Sequence, residues 1–513
     1  MSVYAWKIAG VAAYLLTLLV IGILASRRMK SVRDFYAGGK QFSFWAGAFS
    51  ARATGESAWL LLGLTGMGAA VGLKAFWVVV GEVVGVGCAW LLMCRRFKRL
   101  TDRYDSITIP DYLESRFRDQ GHRLRVVAAV ALVVFVTIYV AAQIHATGTA
   151  FESFLGVDYF VGAVIGFGIV VVYITTGGFV AVVWSDVFQG VLMFVGLVTL
   201  PVVGLWMAGG WGVVSTSLAG LDPALMSWSG GTGWTWLTIL EIMGLALIGL
   251  GFLGSPQIFV RFLALRSEAE VRPGAAVALI WTLFADSGAV LTGMVGRHLL
   301  AGQDLGTDSQ NVLPMLVEFA LPAVLVGLFI AIVLSAIMST VDSLLVVASS
   351  AIVWDWYRRV KHVPEEALIP LSRRVTMILA LAALTVALLV AVVNQRQSVF
   401  WFVIFGWSGI AATFCPTIIL SLAWPRFTAR GALGAMVVGF LAVPLFKFGA
   451  TALPVAGPYF AKLTELPPAF LLSGLVGLLL SLTDSEGQAR MSGIEAELRA
   501  GSGGHDSRST GGQ

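Results

Sequence analysis

An arginine and a glutamate stand four residues apart, Arg52 and Glu56, in the apolar run Phe49-Ser50-Ala51-Arg52-Ala53-Thr54-Gly55-Glu56-Ser57-Ala58-Trp59. Each charge placed at mid-membrane costs at least ~2.5–3.5 kcal/mol, so the chain retains them for a reason. One reading is a helix-stabilising ion pair on a shared face. The sharper reading is an interrupted helix lining a polar site, because Thr54-Gly55 is a natural place to unwind and intramembrane charge marks a pathway. A second stretch, Gly249-Leu250-Gly251-Phe252-Leu253-Gly254-Ser255-Pro256, loses helical propensity at four positions within eight residues. It also spells G-x-G-x-x-G, but a dinucleotide fingerprint needs a preceding strand and a following βαβ unit, which a spanning helix cannot supply. Close helix packing through small residues is its plainer explanation. A third polar cluster reads Ser335-Ala336-Ile337-Met338-Ser339-Thr340-Val341-Asp342-Ser343. Hydroxyls alone serve helix packing, but with Asp342 and freed carbonyls they form hard oxygen ligands of the kind alkali cations prefer. Asp186 is a second acid that could converge there, while His145, Asp286 and Glu241 read as packing or hydrogen-bonding groups. No nucleophile, base and orienter occur together, so an enzyme is not expected.

The elements that hold these residues are membrane helices. Of 513 residues 58% are apolar and only 12% charged, about half the charged share of a soluble chain. That excludes soluble enzymes and disulfide scaffolds, and the net charge of +5 sits in loops between apolar runs, which argues against a nucleic-acid partner. Cys88, Cys94 and Cys415 lie in or beside apolar runs and read as core residues. Runs near one bilayer thickness fall at 6–26, 44–72, 75–94, 123–150, 158–177, 179–208, 234–259, 273–296, 322–354, 375–394, 398–423, 431–450 and 466–482, about thirteen transmembrane helices in an all-α integral membrane protein. Pro110 to Phe117 reads as a short amphipathic stretch on the membrane surface. The basic loops, including Arg27, Arg28, Lys30, Arg33 and Lys40, then Arg95 to Arg125, and Arg261, Arg266 and Arg272, all fall on one side. The positive-inside rule therefore puts the N-terminus outside and the C-terminus in the cytoplasm. Residues 1–483 form one transmembrane domain, and the Gly/Ser-rich tail 484–513 is expected to be disordered. Two interrupted helices, each opening a group of five spans, suggest inverted repeats over approximately 44–208 and 234–423, with 6–26, 431–450 and 466–482 as extra helices.

At these residues the chain resembles the sodium:solute symporter family, and within it bacterial sodium/proline symporters. The similarity runs from Asp34-Phe35-Tyr36-Ala37-Gly38-Gly39 to Trp424 and includes Ser57-x-Trp59-Leu60-Leu61-x-Gly63-Leu64-x-Gly66, Leu113-x-x-Arg116-Phe117 and Thr137-Ile138-Tyr139. It continues through Gly177-Gly178-Phe179-x-Ala181-Val182-x-Trp184-x-Asp186, Pro256-x-Ile258-x-x-Arg261-Phe262 and Met338-Ser339-Thr340. The resemblance implies thirteen spans around a five-plus-five, LeuT-like inverted-repeat core. It implies a sodium site formed by the carbonyls of Ala53, Glu56 and Ala336 and the side chains of Ser339 and Thr340. It also implies a second ion site or exit route at Asp186, Asp342 and Ser343, and a solute site at Ser57, Ala58, Tyr139, Ile248, Phe252 and Pro256.

The chain departs from the proline symporters in three places. Gly55 stands where they have an aspartate, with Glu56 one position on; Arg52 replaces a small residue; and Ile248 and Phe252 replace a tryptophan and a tyrosine. The expected function is sodium-coupled symport of a small organic solute, such as the amino acid proline, by alternating access. Sodium is the coupling ion, with no organic cofactor and no obligate protein partner, and the setting is the lipid bilayer of a bacterial inner membrane. The alternatives are proton-coupled or sodium-independent transport of another carboxylate or amino acid and, from a different class, a membrane sensor or receptor.

Overall fold

The computed structural model describes residues 2–27, 32–174, 178–361, 364–394 and 397–499. Among them the chain is helical, with one isolated parallel bridge between Phe42 and Leu265. Each of the thirteen expected spans coincides with a helix or with helices separated by a break. Among the described residues ten helices are individually long and apolar enough to cross a membrane, or eleven if Gly457–Leu463 and Leu466–Leu482, bent by 93°, count as one span. The lower count arises because two expected spans run together, the fifth is described over a shorter helix and the thirteenth belongs to the bent pair. Trp59–Arg103 is a single 45-residue helical stretch, about 68 Å at the rise of an α-helix, too long for one crossing of a core about 30 Å thick. It is interrupted at Gly72 (φ 61°), which separates the second span from the third. The fifth span is described over Tyr159–Ile174, and its expected end, with Gly177, lies outside the described residues.

The helices that position the site are α1 (Val3–Ser26), α2 (Phe44–Gly55), α3 (Thr65–Val71), α4 (Phe76–Cys88), α5 (Arg123–Leu155), α6 (Phe179–Met207), α7 (Trp236–Ala246), α8 (Pro256–Ala264), α9 (Val271–Leu299), α10 (Ala323–Ser350) and α11 (Val399–Ala423). α2 ends where expected. Glu56 turns extended (φ −92°, ψ 126°) after Thr54-Gly55, and the chain resumes as a wide turn over Trp59–Leu64 before α3. The second break is equally clear. α7 tightens into a 3₁₀ stretch over Leu247–Leu253, stops at Gly254, and restarts as α8 with Pro256 in its first turn, where a proline lacks no needed N–H. Side chains satisfy the carbonyls these breaks release. Trp59 Nε1 donates to Gly55 O (3.3 Å), Trp407 Nε1 to Ile248 O (3.0 Å) and Ser255 Oγ to Gly251 O (2.6 Å).

Small residues do pack closely at the second break, so both explanations of its glycines hold. A Cβ on Gly81 of α4 would stand 1.7 Å from Ala246 O, and one on Gly249 would stand 2.0 Å from Gly81 O. That backbone-to-backbone seam brings α4 against the Leu247–Leu253 segment. α2, in turn, is enclosed by α6, α8, α9 and α10.

Two peripheral expectations change. The stretch at 110–117 is the helix Ile109–Phe117, with Tyr112, Leu113, Arg116 and Phe117 buried inside the protein, not lying on the membrane surface. Arg116 is held there because its Nε donates to Ser421 O (2.9 Å). The tail continues in helices Ser485–Arg490 and Ile494–Arg499, anchored by buried Met491 and Ile494 among its small polar residues, and Tyr104 donates to Glu497 (2.5 Å). Residues 500–513, like Arg28 and Lys30, lie outside the described residues.

Candidate functional site

The five oxygens expected to hold sodium come together between the end of α2 and the middle of α10. Ser339 Oγ lies 2.8 Å from Ala53 O and 3.2 Å from Ala336 O. Thr340 Oγ1 lies 3.1 Å from Ala336 O and 3.3 Å from Glu56 O. Two hydroxyls and three carbonyls therefore form one continuous patch of neutral, hard oxygen atoms, the donor set an alkali cation takes. The break supplies the carbonyls, since a regular helix would have bonded Ala53 O and Glu56 O to its own next turn.

A charged cluster adjoins this patch through Thr54. Its hydroxyl is 3.2 Å from Asp186 Oδ2, 2.9 Å from Ser343 Oγ and 3.5 Å from Ser339 O. Asp186 and Ser343 are thus brought together as expected, and Asp342 Oδ1 accepts from Ser343 at 3.2 Å. The cation that pairs with Asp186 is Arg261. Its place after the seventh apolar run predicts a loop arginine, but α8 carries it inward to 1% exposure. Its Nη2 donates to Asp186 (3.0 Å), its Nε to Ser50 Oγ (3.0 Å) and its Nη1 to Gln257 O (2.7 Å), and its Nη2 also contacts Ser343. The Phe179 ring lies 5.0 Å from its guanidinium carbon, an added cation–π contact.

The expected solute residues line the other side of the two breaks. Ser57 and Ala58 are both tied to Gln143 of α5, whose Nε2 donates to Ser57 Oγ and whose Oε1 accepts from Ala58 N, each at 3.1 Å. Ile248 O accepts from Trp407 of α11, and Phe252 packs on the same indole with ring centroids 5.0 Å apart. Tyr139 is buried against Gly406, and Pro256 is buried at the start of α8. Gln143 and Trp407 were not singled out in the sequence. Gln143 stands beside His145 and Trp407 follows Phe400, Trp401, Phe402 and Phe405, so neither stands out from its neighbours.

The intramembrane pair is present, and it is not alone. Arg52 and Glu56 form an ion pair, and Arg52 Nη2 is 3.6 Å from Glu82 of α4. Asp286 of α9 completes the group, with one carboxylate oxygen from each of Glu56, Glu82 and Asp286 within 4.8 Å of the others. The reading of Asp286 as an ordinary hydrogen-bonding group does not hold, because both its oxygens lack a partner in a fully buried position. His145 and Glu241 do behave as hydrogen-bonding groups: His145 contacts Tyr159 OH (2.6 Å) and Gln397 O (2.9 Å), and Glu241 pairs with Lys74 (2.7 Å) and Lys462 (3.0 Å).

With this geometry in hand, the comparisons are specific. The family model described as sodium:solute symporter family matches residues 35–439. The high-affinity proline transporter PutP of Bacillus subtilis (strain 168) is 35% identical over 427 residues, covering 82% of this chain and 88% of that protein. The sodium/proline symporter of Escherichia coli (strain K12) is 30% identical over 502 residues, covering 95% of each. Among solved structures, a Na+-coupled sialic acid symporter in a substrate-bound outward-open state superposes with a TM-score of 0.74 at 19% identity, covering 95% of this chain and 97% of that one. The fold is therefore the LeuT-like inverted-repeat arrangement of membrane helices. This chain belongs to the sodium:solute symporter family.

Proposed function

We propose that the protein couples sodium entry to uptake of a small organic solute, an amino acid such as proline, across a bacterial inner membrane. The observation that carries this reading is the convergence of Ala53 O, Glu56 O, Ala336 O, Ser339 Oγ and Thr340 Oγ1 between a broken helix and its packed neighbour. Sodium is cargo in this scheme and enters that patch from the N-terminal, outer side. Its charge draws α2 and α10 together, and the solute rests against the two breaks, among Ser57, Ala58, Tyr139, Ile248, Phe252 and Pro256. Asp186, Asp342 and Ser343 give a second cation position or exit route, with Arg261 fixing the Asp186 carboxylate. Alternating access follows when the bundle rocks about the occupied site. An inward potential of 100 mV supplies ~2.3 kcal/mol per sodium ion, enough for roughly fifty-fold accumulation.

The reading is tested by proline uptake into proteoliposomes with and without an inward sodium gradient. The expected result is sodium-driven accumulation, with Thr340→Val raising the sodium concentration for half-maximal uptake by about tenfold, the equivalent of 1.4 kcal/mol. Uptake that ignores sodium but follows a proton gradient would instead favour the proton-coupled alternative, to which the Arg52 guanidinium beside Gly55 lends support.

A further inference from the structure

The Arg52, Glu56, Glu82 and Asp286 group has an unbalanced charge. Three carboxylates face one guanidinium, and all four side chains are 1% exposed or less. Arg52 is already paired with Glu56, its contact to Glu82 is a longer 3.6 Å, and Asp286 has no hydrogen-bond partner on either oxygen. A buried carboxylate left in that condition carries a large desolvation penalty, which a positively charged ligand relieves. The group sits on helices that meet only in the folded core: Arg52 and Glu56 from α2, Glu82 from α4 and Asp286 from α9. It is continuous with the solute residues through Phe252. That ring lies 4.8 Å from the Arg52 guanidinium carbon and 5.0 Å from the Trp407 ring. Gly55 permits the approach, since a Cβ there would stand 2.8 Å from the Phe252 ring.

We infer that Glu82 and Asp286 form the subsite for the positively charged nitrogen of the solute, so that a protonated amine is the feature selected. Two observations favour an amine over an inorganic cation. The adjoining residues Ile248 and Phe252 are apolar and offer contact to the carbon skeleton of an organic ammonium, which a bare metal ion cannot use. An ammonium group spreads its charge over N–H donors that can bond Glu82 and Asp286 in turn. A solute carboxylate, where there is one, has Arg52 and the N-terminus of α8 as partners but is dispensable, because the surplus charge of the group is negative.

This inference rests on the transporter reading and deepens it. The test uses the purified full-length protein in sodium-containing buffer and follows thermal stabilisation by four kinds of probe. They are zwitterionic (proline, alanine), cationic (proline methyl ester, putrescine), anionic (N-acetylproline, pyruvate) and neutral (glucose). Every stabilising probe should carry a positive nitrogen, and proline methyl ester should retain binding that N-acetylproline loses. Asp286→Asn and Glu82→Gln should each weaken the best probe about tenfold or more while keeping the stabilisation given by sodium alone, which shows that the variants are folded. Stabilisation by anionic or neutral probes as strong as by the amines, by none of the panel, or unchanged affinity in both variants overturns the proposal. So does loss of the sodium effect in both variants with amine binding intact, which would make the group an ion site. Sodium-independent uptake in proteoliposomes would overturn the coupling reading and leave the amine subsite standing.

Discussion

Replacing Arg261 with methionine should be among the most damaging single changes in this protein, and the structure gives the size. Arg261 donates to Asp186, Ser50 and Gln257 O and contacts Ser343, all in a buried setting. Methionine fills much of the volume but leaves the Asp186 carboxylate, 0% exposed, without its counter-charge. Removing one partner of a buried ion pair costs about 3–5 kcal/mol, because the remaining charge stays desolvated. Asp186→Asn should cost a similar amount, now by leaving the guanidinium unpaired. The double variant strands neither member of the pair and adds only unsatisfied neutral groups, about 1–3 kcal/mol, while the loss of the cation beside buried Asp342 is common to it and to Arg261→Met and cancels in the cycle. The double variant should therefore be far more stable than the sum of the singles predicts, with a coupling energy of several kcal/mol, about the upper end for contacting residues. Equilibrium unfolding in mixed micelles of increasing SDS fraction, followed by tryptophan fluorescence, measures all four corners of the cycle. If Arg261→Met alone lies within about 1 kcal/mol of wild type, or the two single costs simply add, the pair does not carry the energy assigned to it.

Two further outcomes follow from other contacts. Burial alone would raise the Glu114 carboxyl, but hydrogen bonds from Arg125 and His122 outweigh it and hold the group below the usual range. A depressed carboxylate contributes stability above its unfolded value, about pH 4.3, and loses it as pH falls through the lower folded value. Stability should therefore drop on acidification below that point in wild type and less steeply in Glu114→Gln, as melting curves across pH 3 to 6 would register (about one unit either side of the transition). At the glycine seam, Gly249→Ala places a methyl group 2.0 Å from Gly81 O, and the forced backbone shift should cost about 1–3 kcal/mol. A melting temperature equal to wild type would contradict the tightness of that contact.

The sequence revealed most where chemistry and backbone are written in consecutive residues. Thr54-Gly55 and Gly249 to Pro256 lose helical propensity locally, so both breaks were readable before the helices were placed. The hydroxyl pair Ser339-Thr340 was readable for the same reason. Glu82 and Asp286 were not, because each is a lone acid in an apolar run and gains meaning only when α4 and α9 bring it to Glu56. Arg261 misled for a different reason. Arginines after an apolar run ordinarily mark a loop, but here the run restarts after Pro256 and α8 carries the charge inward. The tail misled through composition, since two apolar anchors, Met491 and Ile494, outweigh a surrounding Gly/Ser bias.

The glycine seam also limits how the molecule can move. The contact runs over two turns of α4, since a Cβ on Gly85 would stand 2.1 Å from Gly249 O just as one on Gly81 would stand 1.7 Å from Ala246 O, so the two backbones touch along its length. α4 and Leu247–Leu253 therefore travel as one lever, with Glu82 and Phe252 fixed to the same arm. The one interruption between this arm and α8 with its arginine is the break at Gly254-Ser255. A swing about that joint changes the distance between Phe252 and Arg261 while leaving the spacing of Phe252 and Glu82 constant. Glu82 and Arg261 thus stand on opposite sides of that break.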